Sequence, residues 1–124
     1  MKTDVIIVGA GPTGLSLACQ LIRYGINFVV VEQKEGVTSL SKALGVQART
    51  MEIYEQLGLS QQALERGSIA DKVKLIAGGK VHEGFDLLEM GKGISPYPYM
   101  LVLEQSKNEQ FLYEYLQQHQ QNVR

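Results

Sequence analysis

Four residues near the start of the chain have the types and spacing to bind a nucleotide cofactor: Gly9, Gly11, Gly14 and Glu32. Asp4-Val5-Ile6-Ile7-Val8 runs straight into Gly9-Ala10-Gly11-Pro12-Thr13-Gly14, and an apolar helical pattern then leads to Phe28-Val29-Val30-Val31-Glu32. Gly9 permits a tight turn out of a strand. Gly11 puts no side chain between the backbone and a pyrophosphate. Gly14 lets the next helix pack closely on the strands. Pro12 and Thr13 belong to the same turn, and the N-terminus of the helix offers phosphates free N–H groups and a positive dipole end. Glu32 lies about 20 residues on, where an acid accepts hydrogen bonds from an adenosine ribose. A bare G-x-G-x-x-G is weak evidence and can be a turn rich in glycine for packing alone. Strand, turn, helix, second strand and acid together make the dinucleotide-binding fingerprint.

The other chemically capable residues lack partners in the sequence. His82 has no identifiable carboxylate or nucleophile beside it, and His119 falls on an apolar helical face; both read as structural. Cys19 reads as a small core residue, inert when buried in a helix. Packing accounts for Tyr24, Tyr54, Tyr97, Tyr99, Tyr113 and Tyr115. No metal-ligand spacing and no Ser-His-Asp or Cys-His set is visible, so no residue is assigned a catalytic role.

These residues must be positioned by a βαβ unit over residues 4–32. Val5 to Val8 and Phe28 to Val31 are continuous apolar runs, the pattern of parallel strands covered on both faces. Leu15, Ala18, Cys19 and Ile22 form one helical stripe between them, and Gly25-Ile26 is a helix-stop pattern. Residues 35–45 read as a loop. A second helix is predicted over about 46–57, with Val46, Ile53, Tyr54 and Leu57 inward and Gly58-Leu59 as its stop. Ser60 is the expected cap of a short helix through Arg66. Lys72-Val73-Lys74-Leu75, Gly78-Gly79 and Lys80-Val81-His82 read as an antiparallel hairpin, residues 89–98 as a loop, and Tyr99 to Leu103 as a strand. Ser106 and Glu109 form a capping-box pattern ahead of a helix with Phe111, Leu112, Tyr115, Leu116 and His119 on one face.

The chain has 124 residues, 44% hydrophobic and 20% charged, the composition of one ordinary globular domain. A net charge of −1 gives no electrostatic case for nucleic acid or an anionic membrane. No apolar run has the length of a membrane span, and no signal peptide is recognisable. The single cysteine cannot form an internal disulfide, which favours a reducing cytoplasm. A helix through about residue 120, then Asn122-Val123-Arg124, reads as a chain entering a strand beside the second one. A sheet ending there would have an unpaired edge and an unfilled wall. The expectations are therefore a partial domain and self-association as a dimer or domain swap.

Beyond the fingerprint, Lys42-Ala43-Leu44-Gly45-Val46-Gln47-Ala48-Arg49-Thr50-Met51-Glu52 and Leu103-Glu104-Gln105 complete a pattern. It resembles the N-terminal part of FAD-dependent aromatic-ring hydroxylases, the class A flavoprotein monooxygenases of the p-hydroxybenzoate hydroxylase type. The resemblance covers essentially the whole chain, although the enzymes of that family are several times longer. It implies an α/β fold: a Rossmann-like FAD-binding unit of the glutathione-reductase type with an antiparallel β insertion over 72–104, incomplete at the C-terminus. It implies FAD as cofactor and NADPH or NADH as co-substrate. It also implies hydroxylation of an aromatic, phenolic substrate through a flavin hydroperoxide, by the full-length enzyme rather than by these 124 residues alone. By the same resemblance the glycine turn would hold the FAD pyrophosphate, Glu32 the ribose, Arg49 the phosphates or ribitol, and Gln105 the ribityl region. Gln33 and Lys42 stand where the family commonly has arginine; lysine keeps the charge but loses the planar fork. Two other readings stay open: an NAD-dependent Rossmann oxidoreductase, against which the hairpin argues, and a non-catalytic module docking through its sheet edge.

Overall fold

A computed structural model describes residues 2–36 and 42–124. In chain order its elements are β1 (Val5–Val8), α1 (Pro12–Arg23), β2 (Phe28–Val31), β3 (Ala43–Val46), α2 (Ala48–Gln56), α3 (Ser60–Arg66), β4 (Ser68–Ala70), β5 (Lys72–Ala77), β6 (Lys80–Asp86), α4 (Leu87–Gly91), β7 (Met100–Glu104) and α5 (Gln105–Gln118). They fall into two compact units, Met1–Ala43 with Glu104–Arg124, and Leu44–Leu103.

The first unit is the predicted βαβ fold. β1 and β2 pair in parallel, from Val5 opposite Phe28 to Val8 opposite Val31. Val123 adds a parallel bridge to Val30, fixed by Arg124 N–H to Val30 O at 2.9 Å and Glu32 N–H to Arg124 O at 2.7 Å. The end of the chain therefore lies beside β2, as the sequence predicts. α1 packs on both strands and along α5. Leu15, Ala18 and Cys19 from α1, Phe111, Leu112 and Leu116 from α5 and Val30 from β2 are fully buried, and Ile7 from β1 is nearly so. Each large side chain so buried contributes roughly 1.5–3 kcal/mol, as an upper bound.

Two expectations change in this unit. Leu21 is buried in α1 where Ile22 was expected and is only half-buried. β1 is covered on one face only, because Ile6 is 65% and Val8 84% exposed, whereas Val29 and Val31 of β2 are half-buried. α1 does end as predicted: Gly25 takes φ +65°, Ile26 N–H reaches Leu21 O and Gly25 N–H reaches Ile22 O, both at 3.0 Å.

α5 starts one residue before the capping-box pattern. The Gln105 N–H bonds the Lys42 carbonyl at 2.7 Å, so the chain turns into the helix at Glu104 and Ser106 falls inside the first turn without capping it. The Glu109 carboxylate instead accepts from the Gln105 side chain at 2.7 Å. Tyr115 is half-buried, and His119 is exposed at the helix end, its ring 4.3 Å from that of Tyr115.

In the second unit β3, β7 and β4 form one sheet in that order, with β4 antiparallel to β7. β3 occupies part of the predicted 35–45 loop, whose residues 37–41 lie outside the described ones, and takes Val46 from the predicted helix. α2 therefore begins at Ala48 and buries Met51 and Tyr54, with Ile53 only half-buried. It stops at Gly58, φ +73°, with Leu59 N–H on Tyr54 O at 2.7 Å. Ser60 is the first residue of α3 rather than its cap. β5 and β6 form the predicted hairpin, with Gly78 and Gly79 both at positive φ, the requirement of a two-residue turn. α4 lies where a loop was expected from residue 89. Asp86 caps it by accepting from Leu88 N–H at 2.9 Å and Glu89 N–H at 3.2 Å.

Candidate cofactor site

In the first unit the three glycines of the turn have three different reasons to be glycine. Gly9 takes φ +103°, which a side chain disfavours. A Cβ on Gly14 would collide with the Gly9 carbonyl oxygen, so the start of α1 lies directly against the end of β1. Gly11 has an ordinary φ of −75°, and a Cβ there would meet nothing within 4 Å. Neither backbone nor packing demands glycine at that point. The space is open beside the first turn of α1, where Pro12 opens the helix and its amides lack intrahelical acceptors. A phosphate can approach there, and a side chain would block it.

Glu32 stands at the end of β2. Its carboxylate accepts from the Ala10 N–H at 2.7 Å and the Lys34 N–H at 3.0 Å. The Ala10 amide chiefly, then the Lys34 amide, hold the group below the usual carboxylate range, so it stays ionised. An ionised carboxylate has lone pairs left for two ribose hydroxyls. Beside it is a hollow of about 290 Å³ whose lining includes Ala10, Glu32, Gln33, Tyr113 and Arg124. Tyr113 and Arg124 are absent from the sequence-derived set. Their only available signal was the prediction that the end of the chain returns beside β2.

The remaining candidates are placed as follows. Thr13 and Gln33 are exposed. Lys42 is exposed, and its carbonyl anchors Gln105, whose side-chain amide is spent on Glu109. Arg49 belongs to the second unit, on α2. Its side chain is 73% exposed and paired with Glu52 at 3.0 Å. That guanidinium chiefly, with the Ser95 hydroxyl, holds Glu52 below the usual carboxylate range. Among the described residues no group of three or more His, Cys, Asp or Glu could hold a metal ion.

A model of the FAD binding domain family matches residues 2–124. A 12-dehydrotetracycline 5-monooxygenase/anhydrotetracycline 6-monooxygenase from Streptomyces rimosus is 38% identical over 112 residues, 90% of this chain and 21% of that protein. Among solved structures, a p-nitrophenol 4-monooxygenase from Pseudomonas putida superposes with a TM-score of 0.84 at 27% identity, covering 94% of this chain and 29% of the other. An aklavinone-11 hydroxylase, solved with FAD and aklavinone, gives 0.78 at 26% identity, covering 99% and 25%. The chain thus spans about a fifth of the length of this curated relative. The open approach at Gly11, the amide-rich helix start and the ionised Glu32 fit the phosphates and ribose of such a cofactor. By fold, fingerprint and family model, the chain belongs to the FAD-binding domain family of the flavin-dependent aromatic monooxygenases.

Proposed function

We propose that this chain supplies the FAD site of an NAD(P)H-dependent monooxygenase that hydroxylates an aromatic, phenolic substrate. The observation that carries the reading is the open space at Gly11 beside the start of α1. In this reading Gly9, Gly11, Pro12, Thr13 and Gly14 hold the pyrophosphate. Glu32 takes the ribose hydroxyls, with Gln33 next to it. Arg49 reaches the phosphates or ribitol, Lys42 adds its charge at the cofactor, and Gln105 contacts the ribityl region. FAD, when bound, carries two electrons from the nicotinamide and activates dioxygen, so that one oxygen atom enters the ring and the other leaves as water. The part of the protein is to bind, orient and exclude water. The names of the relatives, for an anhydrotetracycline, a p-nitrophenol and an aklavinone enzyme, support an aromatic substrate.

Both units belong, in this proposal, to one FAD-binding domain with residues 72–104 as a β-rich insertion, and the 124 residues bind cofactor without turning over by themselves. The composition and single cysteine support a cytoplasmic protein, and no helix among the described residues is long and apolar enough to cross a membrane. The exposed Ile6 and Val8 support self-association.

Titration with FAD, followed by flavin fluorescence, tests the site. Saturable quenching is expected. Gly11→Val should abolish it while keeping the native circular dichroism, because its Cβ has room in the protein. Arg49→Ala should weaken binding by roughly tenfold. Unchanged affinity in a folded Gly11→Val chain would sink the assignment.

A further inference from the structure

Within the second unit, the start of α2, the hairpin, α4, residues 92–98 and the start of β7 surround a hollow of about 430 Å³. Its lining includes Phe85, Met90, Ile94, Tyr97, Tyr99 and Met100, and no charged residue. Met90 is 62% and Ile94 80% exposed, so large apolar side chains stand in water around a concave surface, a mark of a binding site. Tyr97 and Tyr99 meet edge to face, 6.4 Å between ring centroids. Among the described residues neither phenol hydroxyl has a hydrogen-bond partner, and burial pushes the Tyr99 hydroxyl up, keeping it protonated. Ser95, also in the lining, accepts from the Tyr97 N–H through its oxygen at 3.1 Å.

We propose that this hollow binds a neutral, fused-ring aromatic molecule carrying hydroxyl or carbonyl groups at its edge. The volume lies in the lower part of the range of small-molecule sites, and a single ring would leave most of it wet. Aromatic and methionine walls favour a flat, polarisable ligand. An anionic ligand such as a benzoate would lose water without meeting a cation in the lining. The phenols of Tyr97 and Tyr99 are free to bond an edge oxygen. As the substrate class of a monooxygenase this rests on the proposed function above; as a ligand site it stands without it.

The chain has four methionines, and two of them, Met90 and Met100, line the hollow while Met51 is in the core. With methyl-labelled methionine, NMR titration of the 124-residue chain with 2-naphthol should shift Met90 and Met100 saturably and leave Met51 in place. 2-Naphthoate and phenol should each bind at least about tenfold more weakly. Met90→Lys, at an exposed position, should weaken 2-naphthol by roughly tenfold and leave FAD quenching unchanged, with the Met51 signal reporting the fold. Equal or tighter binding of 2-naphthoate overturns the proposal, as do shifts only elsewhere, absence of saturation, or a second copy of the chain filling the hollow in sedimentation and NMR dilution. Loss of FAD binding with the 2-naphthol shifts intact would remove the proposed function and leave the site. The reverse outcome would remove the site alone.

Discussion

At the residue scale, Glu32 and Cys19 have opposite environments and make opposite predictions. Glu32 is ionised and held by the amides of Ala10 and Lys34, which lower its pKa from the ordinary 4.5. Its stabilising contribution is therefore fully present above about pH 4.5 and lost as pH falls through the lower folded value. Glu32→Gln should shrink the acid limb of a plot of thermal midpoint against pH, with Glu52 keeping its own share, and should weaken FAD by roughly tenfold or more. An unchanged acid limb would mean that those amides do not hold the carboxylate in solution. Cys19 is fully buried, its Sγ 3.7 Å from the Leu112 carbonyl oxygen, and burial pushes its thiol up to about 12. A raised folded pKa leaves its contribution intact below the ordinary 9.0 and erodes it as pH rises toward 12. Near neutral pH, labelling of Cys19 by a disulfide reagent should therefore proceed only as fast as the protein unfolds. Labelling of the native chain at the rate of a free thiol would contradict the packing of α1 on α5. The roles of Gly9 and Gly14 were legible in the sequence because each is local or nearly so. The Arg49–Glu52 pair, three residues apart on α2, is likewise local and has the spacing of a helical ion pair.

At the scale of elements, local signals and distant partners separate what the sequence predicts well from what it misses. The stops at Gly25 and Gly58 and the turn at Gly78-Gly79 were readable because positive φ at a fixed offset is a property of a few adjacent residues. α4 was hidden because Gly and Pro dominate the segment that follows it, although Asp86 was an available cap. Asp86→Ala should cost about 1 kcal/mol in urea denaturation, since two amides of α4 lose their acceptor. A change near zero would show that packing on the hairpin, rather than the cap, holds α4. β3 was missed because four residues carry little periodicity and their strand partner β7 lies far along the chain. The capping box expected at Ser106 and Glu109 does not form: Ser106 falls inside the first turn and Glu109 accepts from Gln105. The bond from Gln105 to the Lys42 carbonyl, a long-range contact, decides where α5 begins.

At the scale of the whole molecule, an apolar sheet face stands in water at Ile6 and Val8. Sedimentation should show concentration-dependent association, and Val8→Lys should shift it toward monomer without loss of helical content. A monomeric parent chain at high concentration would refute that expectation. The sequence by itself determined the βαβ unit, its fingerprint and the family. Their signals lie within a short window: glycine conformations, helical periodicity, and an acid at the end of the next strand. Only the tertiary structure decided which face of the strands is covered. It also showed that Tyr113 and Arg124 share a hollow with Glu32, and that Phe85, Met90, Tyr97 and Tyr99 enclose another. A strand pattern specifies that residues are apolar and not what covers them. A cavity is formed by side chains whose spacing along the chain follows no period, so only the folded chain brings them together.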